Sequence, residues 1–103
     1  MSGEVCVRFE IRSMAIMKDT LKQMGIEYND LSQDEISIRR NYHNIIINSH
    51  TGNITYDEVD NKKVDNIKQN YMVSFYKDKA IREGMQLKEE VNAKGEVVLT
   101  LTR

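Results

Sequence analysis

The side chains able to do chemistry are few in this sequence. Cys6 is the only thiol, and His43 and His50 are the only imidazoles. A nucleophilic cysteine needs a neighbouring base or cation to favour its thiolate. Cys6 sits between Val5 and Val7 in an alternating run, so it faces away from them. Neither histidine is tied to it by spacing. Cys6 therefore reads as a small strand residue, and no catalytic residue is assigned. His43, His50, Asp57, Glu58 and Asp60 could meet only through folding, and their spacing matches no compact zinc or calcium pattern. The reading is of no metal and no cofactor. Asp57-Glu58 precedes a helical pattern, where negative charge suits the helix dipole.

Two surfaces invite a binding role. Arg8, Arg12 and Arg39 could share one face of a sheet and meet phosphates. Single-strand recognition also wants stacking aromatics, and none alternates with these arginines; Tyr42 is the nearest. A solvated face, with Glu10 pairing an arginine, is the plainer reading. The second surface is Met72 and Tyr76, beside the apolar face of the longest helix. No Walker A or GxGxxG phosphate-binding pattern is present.

The element that must position these groups is Asn61–Gly84. Val64, Ile67, Tyr71 and Phe75 recur at three- and four-residue steps, on one helical face. Met72, Tyr76 and Ala80 form a second row, and Asn66, Lys77, Asn70, Lys63, Ser74 and Asp78 a polar strip. Asp60 or Asn61 is the expected N-cap, and Gly84 the expected left-handed stop. An arc this wide should bury against more than one neighbour.

The remaining elements follow from local pattern. Glu4–Arg12 alternates as a strand. Ser13 should cap a helix over Met14–Met24, with Met14, Met17, Leu21 and Met24 inward and Gly25 ending it. Ile26–Leu31 reads as a short strand or an irregular link. Ile36–Arg39, Ile45–Asn48 and Ile54–Glu58 read as strands, although one strand from Ile36 to Asn48 would invert the inward isoleucines. Met85–Val91 and Val97–Thr102 form a hairpin about Asn92–Gly95. The expected fold is α+β, a two-layer sandwich. Its mainly antiparallel sheet is covered on one face by two helices, as a ferredoxin-like variant with a C-terminal hairpin.

Composition sets the outer limits. At 103 residues the chain is a single domain, 1–103. Lys and Arg number 15 against 16 Asp and Glu, a balance unlike that of a general nucleic-acid binder. Charge is uneven along the chain. Residues 27–60 carry seven acids against Arg39 and Arg40, whereas residues 61–84 carry six bases against three acids. One cysteine allows no internal disulfide, and neither an apolar leader nor a spanning segment is seen, so a cytoplasmic setting is expected.

Arg8-Phe9-Glu10-Ile11-Arg12, Leu21-Lys22-Gln23-Met24-Gly25 and Ile67-Lys68-Gln69-Asn70-Tyr71, with Gly84, Glu89-Glu90-Val91 and Gly95-Glu96-Val97, carry a resemblance. The chain resembles a family of small conserved open-reading-frame proteins of plastids and cyanobacteria, the hypothetical chloroplast reading frame thirty-five group. The resemblance implies the same fold and no activity. The middle of the chain departs from that pattern, and tryptophan is absent.

The expected function is that of a small non-enzymatic accessory or inhibitor protein, of the kind phages and mobile elements use. It would bind another protein through Met72 and Tyr76; a second copy of the chain is among the partners such a surface could take. The alternative is a nucleic-acid-binding module using Arg8, Arg12, Arg39 and the basic helix. No membrane association is expected.

Overall fold

Alternating isoleucines lay down the sheet. Ile36, Ile38, Ile45, Ile47 and Ile54 are all buried, and Ile46 alone of this set turns to the other face. In the computed structural model, which describes residues 3–103, these residues lie on β3 (Glu35–Ile38), β4 (Ile45–Asn48) and β5 (Asn53–Asp57). The region 36–48 is thus two strands, turned at residues 41–43. A two-residue β2 (Asn29–Asp30) flanks β3, and β1 (Glu4–Arg8) returns to the far edge. The sheet has five strands, all antiparallel, in the order β1-β5-β4-β3-β2.

β1 is shorter than its alternation suggests. Its ladder ends at Arg8 opposite Asn53, because β5 begins there. Phe9 makes one more bond, donating to the Gly52 carbonyl at 2.7 Å, and Gly52 turns the chain away with φ 72°. Ile11 keeps the inward phase and is buried.

Two helices cover the inner face. α1 (Met14–Gln23) starts where the Ser13 hydroxyl accepts from the Ile16 amide at 3.2 Å. It stops at left-handed Gly25, where the Ile26 amide reaches back to the Leu21 carbonyl at 2.8 Å. Met17 and Leu21 are fully buried, and Thr20 joins them by donating its hydroxyl to the Ile16 carbonyl. A 3-10 turn (Glu58–Asp60) leads into α2 (Asn61–Glu83). Val64, Ile67 and Tyr71 of α2 complete the core with Met17, Leu21 and the isoleucines.

α2 outlasts the sheet contact. It ends at Gly84 in the left-handed region, with the Met85 amide bonded to the Ala80 carbonyl at 2.8 Å. The chain then reverses into a separate hairpin of β6 (Gln86–Val91) and β7 (Val97–Thr102). Its turn is held by Asn92, whose side-chain oxygen accepts from the Lys94 and Glu96 amides, each at 2.9 Å. The fold is the expected α+β arrangement with a C-terminal hairpin. Against the ferredoxin-like plan, four consecutive strands separate the helices, and the last two strands stand apart from the main sheet.

An apolar groove and two polar clusters as candidate functional sites

The hairpin gives the second row of α2 its neighbour. β7 alternates, so Val97, Leu99 and Leu101 share one face while Val98, Thr100 and Thr102 share the other. The first set turns towards α2. Together with Met72, Val73, Tyr76 and Gln69 it lines a groove of about 530 Å³. The Lys77 ammonium bridges from α2 to Glu89 of β6 at 2.9 Å.

The groove is open rather than a sealed core. Not one hairpin residue is buried, and Met72 is 36% exposed. Met72 and Tyr76 also line a smaller cleft of about 250 Å³ on their other side, with Phe9, Tyr71 and Phe75. The two side chains therefore form a ridge between two depressions. Phe75 sets that ridge, stacking on Tyr71 at 6.0 Å between centroids and meeting Tyr76 edge-on at 5.4 Å. Tyr71 is fixed in turn, because its hydroxyl oxygen accepts from the Arg12 and Ser13 amides at 2.9 and 3.2 Å. Among the described residues no charged side chain lines the larger groove. Small-molecule sites usually add convergent polar groups to orient the ligand; here, among the described residues, Gln69 and the Tyr76 hydroxyl are the only polar side-chain groups. The lining suits apolar groups.

The three arginines do not form one surface. Arg8 and Arg12 share a shallow groove with Glu10, Ser49 and His50 at the β4–β5 turn. Arg12 is partly occupied there by Glu10, at 3.3 Å. Arg39 lies just past β3 and lines a different depression with Lys22, Tyr28 and Asn29. The strand order explains the split. Across the sheet, the row starting at Arg8 runs through Asn53 and Asn48 to Glu35, so Arg8 is in line with the opposite end of β3 from Arg39.

The acidic residues before α2 divide their roles: Asp57 caps the 3-10 turn that leads into it, while Asp60 turns to an arginine. Asp57 is fully buried; it accepts from the Val59 amide at 3.0 Å and lies 3.0 Å from His43 Nδ1. Asp60 stands at the N-cap position but makes no side-chain cap, a correction to the expected role. Its carboxylate instead receives two bonds from the Arg40 guanidinium, at 3.1 and 2.8 Å. Asp60 is 6% exposed, and a buried carboxylate gains more from a cation than from one free amide. Both partners come from the loop after β3, so this polar cluster pins that loop to the start of α2. His50 lies apart, in the β4–β5 turn. Among the described residues no three His, Cys, Asp or Glu side chains are grouped to hold a metal ion. Cys6 is exposed on the outer sheet face, opposite Thr55.

Two groups titrate away from their usual ranges. Tyr56 is pushed up, first by burial and then by the nearby negative charge of Asp65. Lys18 is raised chiefly by its hydrogen bond to Asp30, at 2.8 Å. Neither lines the apolar groove. Among the described residues no helix is long and apolar enough to cross a membrane. Comparisons with family models, curated proteins and solved structures find no match for this chain.

Proposed function

We propose that this chain is a small accessory or inhibitor protein that acts by holding another protein in the groove between α2 and β7. The observation that carries this reading is the uncharged lining of that groove, with the Met72–Tyr76 ridge standing at its edge. Its occupant would be a partner segment presenting two or three apolar side chains, with polar residues outside. Charged residues on the groove side of that segment would lose hydration without gaining a partner. One wall of the groove is a regular helix, which limits the ordering cost on that side when the chain binds. The resemblance to the plastid and cyanobacterial open-reading-frame family stays part of this proposal, as does a cytoplasmic setting.

The test compares the intact chain with Leu99→Asp, both tagged and expressed in the native cells at equal levels. The reading expects one protein to co-purify at a fixed ratio with the intact chain and to be lost from the variant. An equal yield from both would move the site elsewhere. The nucleic-acid reading has Arg8 and Arg12 in one groove in its favour but not Arg39. Retention on nucleic acid that falls steeply with salt, and vanishes in Arg8→Ala/Arg12→Ala, would replace the proposal with that alternative.

A further inference from the structure

We propose that two copies of this chain pair through the free edge of β7, antiparallel and centred on Leu99. The hairpin is an incomplete sheet. Its two strands stand apart from the main sheet, and two-stranded ribbons are marginal until further strands or a covering layer are added. Its two edges differ in chemistry. β6 carries Lys88, Glu89 and Glu90, which discourage another strand from adding. β7 reads Val-Val-Leu-Thr-Leu-Thr, with neither charge nor proline, and presents an unguarded edge.

The hairpin hydrogen bonds fix which main-chain groups lie on that edge. The Asn92 amide donates to the Glu96 carbonyl at 2.9 Å, so this is a hydrogen-bonded pair of the ladder. Alternate pairs then bond inward: Glu90 with Val98, Lys88 with Thr100 and Gln86 with Thr102. The amides and carbonyls of Val97, Leu99 and Leu101 consequently point to the open edge. A two-fold axis normal to the hairpin at Leu99 sets Leu99 against its own copy and Val97 against Leu101. All three edge-facing residues then pair with edge-facing residues, giving six main-chain bonds.

Side chains agree with that register. A two-fold normal to the sheet keeps like faces together, so Val97, Leu99 and Leu101 of both copies join in one apolar row. Val98 meets Thr100 on the other face. Glu96 falls opposite Thr102 of the second copy. No like charges are brought together within the strand. The pairing uses the strand edge and leaves the groove face of each hairpin open, so it goes beyond the groove reading and does not rest on it.

Sedimentation equilibrium of the full chain over a wide concentration range tests this directly. The expected result is a reversible monomer–dimer equilibrium. Val98→Lys/Thr100→Lys sets lysine against lysine at both 98–100 contacts and should weaken dimerisation by roughly tenfold or more. Mixing it with Val98→Glu/Thr100→Glu should restore a mixed dimer. A second measurement needs no variant. Hydrogen exchange should show the Val97, Leu99 and Leu101 amides gaining protection as concentration rises. A strictly monomeric chain, a dimer indifferent to the lysine pair, or edge amides whose exchange ignores concentration would each overturn the proposal.

Discussion

Replacing Tyr71 with phenylalanine isolates one link between the segment after β1 and the long helix. Tyr71 is 2% exposed, and its ring packs edge-on against Phe9 at 5.6 Å and stacked against Phe75 at 6.0 Å. A phenylalanine ring keeps both contacts, so no cavity larger than one oxygen is left. What is lost is the acceptor for the Arg12 and Ser13 amides. Leaving a buried donor unsatisfied costs about 1–3 kcal/mol. Both amides are only part-buried, so water can reach them in part, and a total near ~2 kcal/mol is expected. With a urea slope of about 1.5 kcal/mol/M, within the range for small proteins, that shifts the midpoint down by roughly 1.3 M at constant slope. Equilibrium urea unfolding followed by circular dichroism reads the shift, and hydrogen exchange should speed at those two amides. A midpoint within about 0.3 M of the parent, with both amides still protected, would refute the tether.

Other perturbations separate core from surface. Ile67→Ala opens a void beneath a fully buried side chain and should cost ~2–5 kcal/mol in the same assay. Met72→Ala, on the exposed ridge, should cost less than about 1 kcal/mol. Arg40→Ala leaves the buried Asp60 carboxylate without its guanidinium. Removing one member of a fully buried pair costs about 3–5 kcal/mol, but Arg40 is 35% exposed, so about 2 kcal/mol is expected after screening. The double variant Arg40→Met/Asp60→Leu should recover part of that loss. Tyr56 gives the chain an alkaline limit. Its folded pKa lies above the ordinary 10.0, so unfolded chains lose the proton first, and stability falls as pH rises from that value towards the folded one. Tyr56→Phe should flatten this fall in thermal unfolding scans; an unchanged fall would assign it to another group.

Local signals were legible in the sequence where one residue decides the backbone. Ser13, Gly25 and Gly84 act within a turn of their own positions, and the helix ends lie where those residues place them. Alternation likewise set Ile36 and Ile38 on one face of their strand, but the run Ile45-Ile46-Ile47 does not alternate, and pairing with β3 is what turns Ile46 outward. Long-range choices were less visible. Nothing near Asp60 marks Arg40, 20 residues earlier, as its partner, so local pattern alone favours a capping role. The separation of Arg39 from Arg8 depends on strand order, which periodicity does not encode. The width of the α2 arc did signal a second neighbour. That the neighbour is a half-open hairpin follows only from where Gly84 turns the chain.

The proposed partner site is the Met72–Tyr76 side of α2. Site-specific photo-crosslinking in the native cells tests it most directly, with the reactive side chain placed at Met72 in one strain and at Asn66, on the exposed polar strip, in another. The expected result is a discrete adduct with one protein from Met72, absent from Asn66 and abolished by Leu99→Asp. Equal labelling from both positions, or none from Met72, would contradict it.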